Sequence, residues 1–276
     1  MPPDSLKWEI ASENLASSEG AVQVWLAQVS SSLPWLPFLQ NLLSGDERVR
    51  ANRYRVEDAR REFITARGLT RWILGARLGL DPKRVVFRYS AFGKPELAES
   101  GDGRLQFNVS HSGGAILLGI STHEPIGVDL ERIDRIIDWL PVATRFYSVN
   151  ENRELQALPE AGQKRAFYAI WTRKEAFLKA KGSGLSDRLT DFDVTADNSR
   201  PSALLTTRYE VADAARWSVV GLPAGDHYEA AVAIKRCHFD LQLVKWNNRL
   251  LGQAVEYSQE QPAGDVTAVR GPALLS

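Results

Sequence analysis

The residues that most suggest chemistry are two carboxylates placed two positions apart in the short segment Ile126–Glu131. Apolar residues alternate there with Gly127, Asp129 and Glu131, so on a β-strand these three would share one face, with open space beside the glycine. Two like charges on one face repel each other unless a cation lies between them, and Mg²⁺ prefers such oxygen ligands. Aspartate is also a poor strand former. The segment therefore predicts either a hard-cation site or the solvated outer face of an ordinary strand.

Another carboxylate and a lysine lie one turn apart on the most clearly periodic helix, predicted over Ala161–Lys181. Glu175 and Lys179 have the i, i+4 spacing that places two side chains on one stripe of a helix. Phe167 and Trp171 would place these charges beside an apolar wall. A partly buried lysine can donate a proton or hold a phosphate as a fixed positive charge. The alternative is a helix-surface ion pair worth about 0.2–0.5 kcal/mol.

A strand end predicted over Leu105–Ser110 is followed by a histidine and a glycine pair at 113–114. Small hydroxyl residues, glycines and a histidine at a strand end suit contact with a phosphate. Ser110 and His111 form a poor nucleophile–base pair, because adjacent strand residues point to opposite faces. The remaining alternative is a polar turn with a hydrogen-bonded histidine.

The charge of the chain is zero overall but unevenly distributed. The 276 residues contain 34 Lys and Arg against 34 Asp and Glu. The window 48–88 holds 12 basic and 4 acidic residues, so the rest of the chain has an equal excess of acidic residues. The balance excludes a uniformly basic nucleic-acid binder. The basic window suits a phosphate-rich ligand, although many of its side chains could simply solvate a helix face.

The rest of the composition bounds the class of protein. The hydrophobic share of 44% is that of a globular protein and excludes a disordered chain. The single cysteine, Cys237, can form neither an internal disulfide nor a CxxC metal site, which favours a reducing, cytoplasmic location. The N-terminus lacks the features of a signal peptide, and no apolar run approaches the length of about 20 residues that a membrane helix needs.

The elements that must position these residues mix helices and strands without a regular βαβ rhythm, which indicates an α+β fold. Helices are predicted at Leu39–Arg53, Glu57–Leu78, Ile136–Tyr147 with an interruption near Pro141, Asn150–Leu158 and Ala161–Lys181. Strands are predicted at Ala21–Val29, Val85–Tyr89, Leu105–Ser110, Ala115–Ser121, Ile126–Glu131, Phe192–Thr195, Ala203–Thr207, Arg216–Val220 and Tyr228–Ile234. From about residue 246 the chain is polar and predicts a tail.

Three segments in this order resemble a known signature: FNVSHS (107–112), IGVDLE (126–131) and WTRKEAFLKAKG (171–182). They are similar to the motifs of 4′-phosphopantetheinyl transferases of the larger, Sfp-like type, and FGKP (92–95) and EDARR (57–61) also look like family features. The resemblance implies a pseudo-twofold fold of two similar α/β halves with the active site in the cleft between them. The expected division is an N-terminal half at 1–124, a C-terminal half at 125–245 and a tail at 246–276.

The resemblance also implies an activity. The phosphopantetheine arm of coenzyme A would move to a serine of an apo acyl or peptidyl carrier protein, leaving adenosine 3′,5′-bisphosphate. Carried over by position, Mg²⁺ would be held by Asp129, Glu131 and Glu175, with Glu175 and Lys179 as catalytic residues. The residues expected to bind coenzyme A are Ser110, His111, Lys94, Lys174 and an arginine of the Glu57–Leu78 helix, either Arg61 or Arg67.

Other expectations follow from the same resemblance. Carrier proteins are usually acidic, so the partner surface should be apolar with a basic rim, and 136–158 with the start of the Ala161–Lys181 helix are candidates. Glu151 matches a carboxylate that the family carries between its two signatures. We expect a monomer that binds neither nucleic acid nor membrane. The competing hypothesis is a coenzyme A- or nucleotide-binding module without transferase activity, whereas a carboxylate-pair glycosidase would leave the arginine-rich segment unexplained.

Overall fold

The computed structural model describes residues 6–11, 20–98, 105–134, 137–182, 188–196, 204–207 and 214–252. Its helices are α1 (Val29–Ser32), α2 (Leu36–Leu42), α3 (Gly45–Asn52), α4 (Glu57–Leu78), α5 (Trp139–Phe146), α6 (Val149–Ala157) and α7 (Glu160–Lys181). Its strands are β1 (Trp8–Ile10), β2 (Val22–Gln28), β3 (Phe87–Tyr89), β4 (Pro95–Leu97), β5 (Leu105–Ser112), β6 (Ala115–Thr122), β7 (Ile126–Arg132), β8 (Phe192–Val194), β9 (Leu204–Thr207), β10 (Ser218–Leu222), β11 (Tyr228–Ile234) and β12 (Leu241–Lys245). The α+β class is confirmed.

Two larger sheets and two long helices organise the fold. One sheet has the order β1-β12-β2-β6-β5, in which β12 runs parallel to both β1 and β2 and the other pairs are antiparallel. The other sheet is antiparallel with the order β10-β11-β7. Each sheet is associated with one helix of 22 residues, α4 with the first and α7 with the second. No helix in the described ranges is long and apolar enough to cross a bilayer.

The two long helices cover separate apolar cores. Phe63, Ile73 and Leu74 of α4 are buried in one cluster with Trp25 of β2 and Leu118 of β6. The spacing of these apolar residues is that of one helix face, so burial of that face against the sheet stabilises α4. A second cluster contains the apolar face of α7 together with residues of β10 and β11.

A third apolar cluster joins the two sheets. It contains Val24 and Leu117 from the first sheet and Val128, Leu130 and Val232 from the second. Val128 and Leu130 therefore point toward the other sheet, and the strand alternation turns the intervening residues of β7 toward α7. Because side chains alternate along β7, its apolar residues face the core and its acidic residues face the opposite side, as expected.

The end of the chain differs from the expectation. The C-terminal half was predicted to reach residue 245, yet β12 lies inside the sheet of the N-terminal half, paired with β2. Leu250 and Leu251, in the predicted tail, are buried in the core under α4. The parallel insertion of a short strand has no local sequence signal, because its partners are more than 200 residues away in the chain. The rest of the predicted tail, 253–276, lies outside the described residues.

Two boundaries also differ. Pro141 does not interrupt α5, because it lies in the first turn of that helix, where a missing backbone N–H breaks no helical hydrogen bond. The predicted helix Leu39–Arg53 is two helices, α2 and α3, and Ser44 and Glu47 form a capping box at the start of α3. Ile136 and Ala203, which begin two of the predicted elements, lie outside the described residues.

Candidate active site

Strand β7 carries the most deeply placed carboxylate of the site. Asp129 is 3% exposed. Its Oδ1 accepts a hydrogen bond from Ser110 Oγ at 2.9 Å and lies 2.6 Å from Lys179 Nζ. Lys179 also donates to Ser110 Oγ at 3.2 Å and to the carbonyl oxygen of Val128 at 3.3 Å. Three elements, β5, β7 and α7, therefore meet at this carboxylate.

Gly127 explains why α7 can reach β7 so closely. A Cβ at this position would overlap the carbonyl oxygen of Ala176 and the amide nitrogen of Ala180. The expectation of open space beside Gly127 is therefore wrong, since the backbone of α7 fills that space. This close approach is what places Glu175 and Lys179 over Asp129.

A single cavity of about 370 Å³ collects most of the predicted site residues. Its lining consists of Val109, Ser110, His111, Asp129, Glu131, Trp171, Glu175 and Lys179. The three sequence segments around 110, 129 and 175 thus line one cavity. The predicted residues Arg61, Arg67, Lys94 and Lys174 are not part of this lining.

The cavity places one lysine against three carboxylates. Burial raises the pKa of Glu175, the nearby charges of Asp129 and Glu131 raise it further, and Lys179 opposes them. The other oxygen of Asp129, Oδ2, is buried and has no hydrogen-bond partner among the described residues. An unpaired buried carboxylate oxygen is costly, so this site is electrostatically suited to receive positive charge.

The carboxylates are not already arranged around an ion. Within the described ranges, no group of three or more His, Cys, Asp or Glu side chains has the arrangement of a metal site. The ammonium of Lys179 neutralises Asp129 instead. Glu131 is held beside the cavity by Ser112, whose Oγ donates to Glu131 Oε2 at 2.9 Å.

His111 lines the cavity and faces α4. Its Nδ1 is 2.6 Å from Glu62 Oε1, and the other oxygen of Glu62 accepts a hydrogen bond from the Gly114 amide at 2.7 Å. Sequence reasoning did not identify Glu62, and it included Ser112 only as one of the small hydroxyl residues at the end of β5. The i+2 spacing from Ser110 could have indicated Ser112, since alternate strand residues share a face. Glu62 has no such local signal.

The two candidate arginines of α4 have different surroundings. Arg61 is 39% exposed and pairs with Glu57 at 3.0 Å, one turn earlier on the helix. Arg67 is 10% exposed, with its Nε 3.4 Å from Glu47 Oε1 and its guanidinium over the ring of Phe87. Arg61 is therefore the more accessible to a dissolved ligand.

Lys94 connects the two halves of the chain. Its Nζ donates to the carbonyl oxygens of Ile126 at 3.2 Å and Lys179 at 2.5 Å. Burial lowers the pKa of Lys94 to about 8, and the positive charge of Lys179 lowers it as well, whereas Glu96 raises it. Lys94 therefore ties the start of β7 to the end of α7.

Lys174 has a structural position that the resemblance did not imply. Its side chain is fully buried, with Nζ 2.8 Å from Glu151 Oε1 and 2.6 Å from the carbonyl oxygens of both Leu189 and Phe192. Glu151 also caps α6 through Ser148 and accepts from the Val194 amide. A lysine enclosed in this way cannot reach a ligand in the cavity, so we leave Lys174 out of the ligand-binding set.

A smaller, mostly apolar cavity of about 150 Å³ adjoins the first and shares Glu131 and Trp171 with it. The rest of its lining comes from Ile137, Val142 of α5, and Phe167 and Tyr168 of α7. An apolar recess beside a charged cavity suits a ligand with a charged head and a less polar arm.

Comparison with known proteins gives concordant matches to both halves. Residues 125–233 match the 4′-phosphopantetheinyl transferase superfamily, and residues 30–123 match the N-terminal domain of a 4′-phosphopantetheinyl transferase. The chain is 36% identical over 231 residues to the 4′-phosphopantetheinyl transferase HetI of Nostoc sp., which spans 82% of this chain and 93% of that protein.

Two further relatives match shorter stretches. A putative 4′-phosphopantetheinyl transferase of Synechocystis sp., slr0495, is 38% identical over 167 residues, or 60% of this chain and 67% of that protein. The 4′-phosphopantetheinyl transferase Sfp of Bacillus subtilis is 34% identical over 155 residues, or 56% and 66%.

Proposed function

Because the chain belongs to the 4′-phosphopantetheinyl transferase superfamily, we propose that the cavity between β5, β7 and α7 is where it transfers phosphopantetheine from coenzyme A to carrier proteins. The observation that carries this assignment is the convergence of Asp129, Glu131, Glu175 and Lys179 on one cavity. These residues come from two separate motifs and meet only because α7 packs on β7.

The reaction is a phosphoryl transfer in which positioning and charge stabilisation dominate. The serine oxygen of the apo carrier attacks the phosphorus next to pantetheine, and the bond from that phosphorus to the bridging diphosphate oxygen breaks. The products are the holo carrier and adenosine 3′,5′-bisphosphate. The serine proton passes to Glu175, directly or through water, because this carboxylate lines the cavity in which the reaction occurs.

Lys179 acts on the leaving side of the reaction. Its ammonium lies inside the cavity at 2.6 Å from Asp129 and within reach of Ser110. With a diphosphate present, the ammonium turns from Asp129 toward the leaving phosphate and stabilises or protonates it. Ser110 and His111, both in the cavity lining, bind the phosphates together with Arg61.

The donor set fits Mg²⁺. Three carboxylates share the cavity, and the buried Oδ2 of Asp129 has no hydrogen-bond partner among the described residues. Asp129, Glu131 and Glu175 would hold the ion, which when bound neutralises the diphosphate and polarises its phosphorus. Without a cation these carboxylates would repel the diphosphate.

The smaller apolar cavity completes the proposed substrate path. Its position beside Glu131 and Trp171 lets the pantetheine arm leave the charged cavity along α5 and α7. The exposed apolar residues Ile137, Leu140 and Val149 lie in the segment expected to meet the carrier.

We also propose that the protein acts as a monomer in the cytoplasm.

The test is carrier loading, followed as the mass gain of an apo carrier with coenzyme A and Mg²⁺. Asp129→Ala and Glu175→Gln should each lower the initial rate by at least about 10²-fold. Asp240→Asn, which removes an exposed carboxylate outside the cavity, should load at the wild-type rate. Wild-type rates for both cavity variants would refute the assignment, and coenzyme A binding without any mass gain would favour a binding module.

A further inference from the structure

Glu62 of α4 holds the end of β5 at two points. Its Oε1 lies 2.6 Å from His111 Nδ1, and its Oε2 accepts the Gly114 amide proton at 2.7 Å. Gly113 and Gly114 have φ values of 57° and 86°, which side-chain-bearing residues rarely adopt. One carboxylate thus fixes both the imidazole and the tight turn that follows it.

The chemistry of these contacts determines which ring nitrogen faces a ligand. An ionised carboxylate only accepts hydrogen bonds, so the contact with Glu62 requires a proton on His111 Nδ1. Nε2 lies on the opposite side of the ring and is left for a partner other than Glu62. His111 lines the large cavity, so a ligand bound there is a candidate partner for Nε2.

We infer that Glu62 is a positioning residue for coenzyme A binding, because it orients His111 so that Nε2 faces the diphosphate. This inference rests on the proposed function. A phosphate oxygen needs a donor at Nε2, and an imidazolium with Nδ1–H bonded to Glu62 supplies one. Its positive charge then lies between the carboxylate of Glu62 and the phosphate. Glu62 is 18% exposed and His111 45%, so the carboxylate is the more enclosed partner.

The experiment is a double-mutant cycle on coenzyme A affinity, measured by calorimetry with Mg²⁺. Glu62→Gln and His111→Ala should each weaken binding about tenfold, and adding Glu62→Gln to His111→Ala should cause no further loss. Asp240→Asn should bind as the wild type does. Nitrogen-15 NMR should show His111 protonated at Nδ1 in the wild type and a changed Nδ1 signal in Glu62→Gln.

The outcomes separate this inference from the proposed function. An equal loss in both backgrounds would overturn it, because Glu62 would then act through the Gly114 turn alone. Unchanged affinity of Glu62→Gln would also overturn it. Wild-type affinity of His111→Ala would remove the role of His111, whereas the loading test on Asp129 and Glu175 would be unaffected. If Glu62→Gln lowers the melting temperature, Glu62→Asp, which keeps the charge but reaches less far, is measured in the same cycle.

Discussion

The substitution Gly127→Ala should disable the site without touching any charged group. A Cβ there would overlap the carbonyl oxygen of Ala176 and the amide of Ala180, and it would come within 3.0 Å of the carbonyl carbon of Lys179. All three are backbone atoms of α7, so no side-chain rotation relieves the overlap. The nearest of them, the carbonyl oxygen of Ala176, would lie 2.0 Å from the new Cβ, so the helix must move by about 1.5–2 Å to restore ordinary contacts of about 3.5–4.0 Å.

That displacement has two measurable consequences. A misplacement of about 1 Å can already lower the rate about 10²-fold, so this larger one, which moves Glu175 and Lys179 away from Asp129, should lower the rate by at least that factor. Overpacking should also lower the free energy of unfolding by about 1–3 kcal/mol. The assay is the initial rate of carrier loading by mass spectrometry, with urea unfolding measured on the same preparation.

Gly162→Ala provides a matched control on the same helix. A Cβ at Gly162 meets no heavy atom within 4 Å. This variant should load at the wild-type rate and should gain about 0.4–1 kcal/mol of stability, since alanine leaves the unfolded chain less conformational freedom than glycine does. If Gly127→Ala loads the carrier at the wild-type rate with unchanged unfolding, then the close approach of α7 does not set the geometry of the site.

Three other predictions concern buried charge. Lys174→Met should lower the free energy of unfolding by about 3–5 kcal/mol, because it leaves the carboxylate of Glu151 buried without its partner. Adding Glu151→Gln should restore part of the lost stability, and urea titrations measure both changes. The folded state raises the pKa of Glu175, so the folded protein holds the Glu175 proton more tightly than the unfolded chain does. The metal-free protein should therefore lose stability as the pH rises above 4.5, the ordinary pKa of a glutamate. Glu175→Gln should reduce this loss in thermal melts from about pH 5 to 8. The folded state lowers the pKa of Lys94 from 10.5 to about 8, so the unfolded chain binds more protons than the folded protein between these two pH values. The free energy of unfolding of the wild type should therefore rise with pH in this range relative to that of Lys94→Met. Equal pH dependence of the two proteins would contradict this.

Much of the fold could be predicted because the helices and strands follow local periodicity. The spans predicted for α4 and for β11 are those observed, since each has a clear apolar pattern and a clean boundary. Strand β12 could not be predicted, because its place in the sheet depends on β1 and β2 at the other end of the chain. The site likewise has features that follow from local sequence and others that depend on distant segments.

The residue types and spacings by themselves determined which side chains could meet. Asp129 and Glu131 share a strand face, and Glu175 and Lys179 share a helix stripe, since both relations follow from backbone geometry within one element. Lys174 lies directly before Glu175 on the same helix, and its position in the sequence could not show that this lysine faces Glu151 instead of the cavity.

Only the tertiary structure decided how the elements meet. Gly127 admits the backbone of α7, and this contact turns two separate motifs into one cavity. Glu62 reaches His111 across 49 residues of sequence. Such contacts depend on the packing of distant elements, whose relative positions are set by the whole core and by no single segment.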